Sequence, residues 1–155
     1  MREITALFLI VCLSCSSAKE EIQQKFSETI DSVYFQKWVA GIQGGGSGAN
    51  FHVNLKTPLE KDVVLKKVQF ESFEASFVKI SETSYSAYIK TNSNQNDLIL
   101  DENPEKEYGN KAPKINLKPN EANLFFTKNG KEFVKNLQNV KEKPLIAYPS
   151  VKPKN

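Results

Sequence analysis

Phe51-His52-Val53-Asn54-Leu55-Lys56 decides the fold class. Apolar and polar residues alternate strictly along it, the pattern of a strand with one face on a core and the other toward water. Moving outward, the same period of two recurs in Lys67-Val68-Gln69-Phe70-Glu71, in Ala75 with Phe77, in Tyr85, Ala87 and Ile89, in Leu98 with Leu100, and in Lys114-Ile115-Asn116-Leu117-Lys118. Leu124-Phe125-Phe126-Thr127 runs into Lys128-Asn129-Gly130-Lys131, and Asn-Gly is the strongest short hairpin signal. Pro144-Leu145-Ile146-Ala147-Tyr148 reads as a last strand, closed by Pro149. Turn residues at Thr57-Pro58, at Asn92-Ser93-Asn94-Gln95-Asn96 and at Asn103-Pro104 separate the runs. Short strands at this spacing predict a mainly β domain, an antiparallel β-sandwich of immunoglobulin-like type. No βαβ rhythm is present, which argues against a doubly wound nucleotide-binding fold.

One helix is expected before the strands. Ile22, Phe26, Ile30 and Val33 recur at steps of four, four and three, so Glu20 to Val33 reads as an amphipathic helix whose stripe packs on the domain. Ser17 with Glu20 fits a capping box at its start.

The N-terminus carries an address. Ile4 to Leu13 is apolar apart from Thr5, and it is too short for the roughly 20 residues a membrane span needs. It reads as a cleaved signal segment. Leu13-Ser14-Cys15 resembles the lipobox of bacterial lipoproteins, with Cys12 an unusual residue for that motif. The resemblance implies removal of residues 1–14 and lipidation of Cys15. A single acyl chain binds a membrane reversibly, whereas several chains hold firmly. Lys19-Glu20-Glu21 resembles the export signal of surface lipoproteins in flavobacteria, so a periplasmic and a surface-exposed outer-membrane location both stay open. The domains expected are the signal peptide 1–14, a lipid anchor and tether helix 15–33, a β-sandwich 34–150 and a loose tail 151–155.

Composition excludes several chemistries. Cys12 and Cys15 are the two cysteines and His52 is the one histidine. The mature domain therefore has no disulfide, no thiol nucleophile and too few ligands for zinc. Arg2 is the sole arginine, and the net charge of +3 comes from lysines scattered among acids. Nucleic-acid binding asks for a basic stripe, so no nucleic-acid partner is expected. Asp97, Asp101, Glu102, Glu105 and Glu107 lack the alternate spacing and central glycine of a calcium loop, and read as a solvated segment. No metal and no cofactor are expected.

The candidate binding segment is Trp38-Val39-Ala40-Gly41-Ile42-Gln43-Gly44-Gly45-Gly46-Ser47-Gly48-Ala49-Asn50. A phosphate loop needs a lysine where Ser47 stands. A nucleophile elbow needs a glycine where Ala49 stands, and His52 falls in the solvent-facing phase of its strand with no acid to orient it. The remaining reading is a glycine loop joining strand 38–42 to strand 50–56, in which Gly44, Gly45, Gly46, Ser47 and Gly48, with Trp38 beside them, form a loop against which a ligand or partner can lie.

Tyr34-Phe35-Gln36-Lys37-Trp38-Val39-Ala40-Gly41 followed by Gly44-Gly45-Gly46-Ser47-Gly48 resembles the front of small flavobacterial lipoproteins of unknown function. Leu117-Lys118-Pro119-Asn120-Glu121-Ala122 and Pro144-Leu145-Ile146-Ala147-Tyr148-Pro149-Ser150 are similar to segments of that group. The resemblance implies a cell-envelope location and a β-rich domain, and carries over no catalytic residue. The function expected is a non-enzymatic binding or envelope-assembly module with a protein or glycan partner, held to the membrane by lipid on Cys15. The alternative is an envelope hydrolase using Ser47 or a carboxylate pair. The anchor has a direct test. Cys15→Ala should abolish acylation by mass spectrometry and release the protein from membranes, and unchanged membrane retention would refute lipidation.

Overall fold

The computed structural model describes residues 18–91, 117 and 120–152. The signal segment, Cys15 and Ser17 lie outside the described residues, as do the strands expected around Leu98 and Lys114, the turns at 92–96 and 103–104, the acidic stretch, and residues 153–155.

The domain is mainly β with one N-terminal helix. Helix α1, residues 18–29, is followed directly by strands β1 (Ile30–Ala40), β2 (Ser47–Leu55), β3 (Val63–Phe70), β4 (Phe73–Ser81), β5 (Ser84–Thr91), β6 (Ala122–Lys128), β7 (Lys131–Leu137) and β8 (Lys141–Tyr148). They form one sheet in the order β7-β6-β3-β4-β5-β2-β1-β8. Neighbours are antiparallel except β1 and β8, which run parallel. That pair departs from the antiparallel expectation.

The sheet folds over at β4. Ser76 is the last β4 residue paired with β3, and from Phe77 the strand pairs only with β5. On β3 the ladder to β6 shifts register between Leu65 and Lys67, at the place where β4 leaves. A bulge bends and twists its strand, and a strand that changes partner makes a corner between layers. One layer is then β8-β1-β2-β5 with the second half of β4. The other is the first half of β4 with β3-β6-β7. Alternate residues of both point inward: Phe35, Ala49, Phe51, Val53, Leu55, Ala87 and Ile89 face Leu65, Val68, Phe70, Leu124 and Phe126. Phe70 touches both Phe35 and Phe51, with ring centroids 4.5 and 5.4 Å apart.

The helix ends earlier than the apolar spacing predicts. Ile30 and Val33 belong to β1, although both still pack on the core. Their three-residue step is helical spacing, and the strand accommodates it through the register shift between Ile30 and Ser32, while their β-branched side chains favour the strand once pairing with β2 is available. The Thr29 hydroxyl donates to Phe26 O and the Ser27 hydroxyl to Gln23 O, which satisfies carbonyls of the last turn. Thr29 O accepts from the Lys56 N–H, tying the helix end to the end of β2. Phe26 stacks on Phe126, centroids 4.0 Å apart and planes 12° from parallel. Gln23 Nε2 donates to Val134 O of β7. The helix thus seals one open end of the folded sheet. No helix among the described residues is long and apolar enough to cross a membrane.

The Asn129-Gly130 turn is as expected. Both residues have positive φ, 50° and 74°, as the two-residue hairpin turn between β6 and β7 requires. The loop 56–62 before β3 is held by ion pairs, with Glu60 2.7 Å from Lys25 of the helix and 2.8 Å from Lys128 of β6. Hydrogen bonds from Lys128 and then Lys25 hold the Glu60 carboxyl down at about 2. Phe126→Ala removes a fully buried ring from between the helix and the sheet, and should lower unfolding free energy by about 3–5 kcal/mol in urea titration.

Candidate functional site

The glycine segment divides between loop and strand. The loop is residues 41–46, and Ser47 and Gly48 already belong to β2, so the strand boundaries expected at 38–42 and 50–56 are corrected to Ile30–Ala40 and Ser47–Leu55. Ala40 N–H donates to Gly46 O at 3.0 Å and Gly45 N–H to Ile42 O at 3.1 Å, closing the turn. Gly44 and Gly46 have φ of 77° and 83°, a region where a side chain is strained. Gly41 N–H donates to Tyr148 O, which docks the end of β8 against the loop.

The members of the segment separate by face. Ser47 lies in phase with Ala49 and Phe51, so it points between the layers, where its hydroxyl is 2.6 Å from that of Thr91. Trp38 and Gly48 lie on the outer face. Strand registers align that face in four rows across β1, β2 and β5: Ser32, Asn54 and Ser84; Tyr34, His52 and Ser86; Gln36, Asn50 and Tyr88; Trp38, Gly48 and Lys90.

In the first row Asn54 Nδ2 donates to Ser32 Oγ and Ser84 Oγ donates to Asn54 Oδ1. In the second, His52 Nδ1 is 2.8 Å from Ser86 Oγ and its ring stacks on Tyr34, centroids 4.8 Å apart. Lys143 of β8 sets its Nζ 3.6 Å from the centre of the Tyr34 ring. Burial, then the charges of Lys143 and Lys152, push the His52 imidazole below its ordinary value.

The last two rows make the centre of the site. Gly48 has no side chain, and the indole of Trp38 fills the space. A Cβ there would stand against Ile89 O and 2.8 Å from Trp38 Nε1. Lys152 reaches back over the face from beyond β8. Its Nζ donates to Asn50 Oδ1 at 2.9 Å and lies 4.9 Å from the Trp38 ring and 5.0 Å from the Tyr88 ring. Ammonium groups at such distances are attracted to the negative ring faces. Burial and then Lys90 push the Lys152 ammonium below its ordinary value. Tyr148 meets Trp38 edge-on at 6.2 Å. Trp38 is 6% exposed, and its Nε1 is buried with no hydrogen-bond partner among the described residues. A buried donor left unsatisfied costs about 1–3 kcal/mol, so this N–H is short of one acceptor.

Of the expected site, the structure brings together Trp38 and Gly48, sets Gly44, Gly45 and Gly46 beside them as the turn, and turns Ser47 to the other side of the strand. Ser47 and His52 therefore lie on opposite faces of β2. Lys152, Tyr88, Asn50 and Tyr148 were not singled out by sequence. The signal that finds Asn50 and Tyr88 is phase: they share the outward parity of Trp38, Gly48 and His52 on neighbouring strands. Among the described residues no three His, Cys, Asp or Glu side chains converge as a metal site. No family model, curated protein or solved structure matches the chain.

Two outcomes follow from this geometry. Gly48→Ala forces the indole and the β5 backbone apart, so it should destabilise the fold by about 1–3 kcal/mol and shift the emission of Trp38, the one tryptophan. His52 binds its proton less readily folded than unfolded. Its contribution to stability is whole above the unfolded value near 6.5 and is lost as pH falls from there toward the lower folded value. Unfolding free energy measured from pH 7 to 5 should fall in the native protein and fall less in His52→Gln.

Proposed function

We propose that this protein is a non-enzymatic binding module of the bacterial cell envelope, held to a membrane by lipid on Cys15, with Trp38 and its neighbours as the contact surface for an envelope protein or glycan. The observation that carries the reading is the buried Trp38 N–H, without an acceptor among the described residues, set beside the donor–acceptor pair of Lys152 and Asn50. Lys152 lies over that indole; a ligand that displaces it would bring a hydroxyl or carbonyl to the N–H, and the Tyr88 and Tyr148 rings would supply amphipathic contact area of the kind found at interfaces. The outer face is otherwise uncommonly rich in rings for a surface turned to water, since Tyr34, His52, Tyr88 and Tyr148 all lie on it.

The separation of Ser47 from His52 supports the non-enzymatic reading over the hydrolase one, because a nucleophile and its base must lie within hydrogen-bond reach. Ser86 does meet His52, but it is 3% exposed and leaves a substrate no approach. The likeness to flavobacterial lipoproteins supports the envelope location.

The test is a photoreactive residue at Tyr88 in living cells, with Phe125 on the outer face of the other layer as control. Capture from position 88 should exceed capture from position 125 and should fall in Trp38→Phe, which keeps a ring and removes the N–H. Equal capture from both faces, or a turnover of activated esters or glycosides that vanishes in Ser47→Ala or His52→Ala, would overturn the reading.

A further inference from the structure

A second surface lies where β3 and β4 part. The two strands are joined by a tight turn at Glu71 and Ser72 and pair from Lys67 and Ser76 up to that turn. Beyond Lys67 and Ser76 they separate, β3 continuing with β6 and β4 with β5. Among the described residues, 63–65 of β3 and 77–81 of β4 then have no ladder partner on the sides they turn toward each other. Among the described residues the Val63 N–H alone of these finds a partner in the adjoining loop, Glu60 O at 2.9 Å.

The space between the arms is a cleft of about 450 Å³. Leu65, Val63, Phe77 and Tyr85 line its floor and walls, and Lys79 and Glu82 stand at its rim. Along the free half of β4, Val78 and Ile80 face outward and are 51% and 56% exposed. An unpaired strand edge is a template for one more strand, and strand addition takes its affinity from the main chain and its selectivity from pockets for alternate side chains.

We propose that this cleft is a docking site for an extended segment of another protein, which adds as a strand to the free edge of β4 and carries apolar side chains at alternate positions. The segment's inward side chains, in phase with Phe77, enter the cleft between Leu65 and Tyr85. Its outward ones lie beside Val78 and Ile80. Residues 77–81 offer about 16 Å of edge at roughly 3.3 Å per residue, enough for about five residues.

A second copy of this chain is the less suitable occupant. Pairing two β4 edges about a twofold axis at Lys79 sets lysine against lysine, and like charges directly opposed destabilise a strand pair.

The probe is the capped peptide Lys-Thr-Val-Thr-Val-Thr-Val-Lys, titrated into the isotope-labelled mature protein and followed by amide NMR. Saturable shifts confined to residues 63–65, 77–81 and Tyr85 are expected, with the amides of 77–81 gaining protection from exchange. The double variant Val78→Lys, Ile80→Lys alters only exposed side chains, so it should keep the native melting temperature while binding the peptide about tenfold more weakly or worse. Three results would overturn the proposal: no saturable shift, equal shifts at the outer edges of β7 and β8, or sedimentation showing a dimer that the double variant dissolves, which would assign the edge to self-association.

Discussion

The contact of Phe70 with Phe35 and Phe51 makes a domain out of a sheet. Eight strands in a continuous ladder would expose an apolar face to water along their whole length. The fold at β4 turns that face on itself, and Phe70 of the second layer meets both Phe35 and Phe51 of the first. No cysteine lies among the described residues, so burial has to supply their cohesion, at roughly 1.5–3 kcal/mol for each large apolar side chain fully removed from water. The bulge at Leu65 to Lys67 and the departure of β4 after Ser76 are therefore two parts of one event. Helix α1 completes it, because Phe26 covers Phe126 where the folded layers leave an opening.

The mainly β class was legible because the signal was local. Strict alternation from Phe51 to Lys56 and the Asn129-Gly130 turn need no distant information to be read. What was not legible depends on tertiary choice. Ile30 and Val33 have helical spacing, and the irregularity between Ile30 and Ser32 that lets a strand carry both on one face exists only once β1 pairs with β2. The parallel arrangement of β8 against β1 leaves no mark in the residues of either strand. The change of partner along β4 is hidden for the same reason, since alternation continues through Phe77 whichever strand lies beside it.

The site divides along the same line. Trp38 stood out as the one tryptophan and Gly48 as a member of the glycine cluster, and they do meet. Their partnership rests on register, which places a glycine beneath an indole, and on a lysine arriving from beyond the last strand. Ser47 shows the converse. It sits in the most distinctive segment of the chain, yet its parity carries it to the inner face against Thr91. One position of slip along β2 would exchange the fates of Ser47 and Gly48, so parity sorts this segment more strictly than composition does.

The parallel pairing of β1 with β8 joins the first strand of the chain to the last, as the bond from Gln36 Nε2 to Pro144 O makes plain. Such contacts close a loop of 108 residues, and topologies rich in them fold slowly. The layer that carries Trp38 cannot be finished until residues beyond Lys141 are in place. Lys152, which covers the indole, is later still. A chain read from its N-terminus therefore holds its outer face unfinished until residues 141–152 have followed.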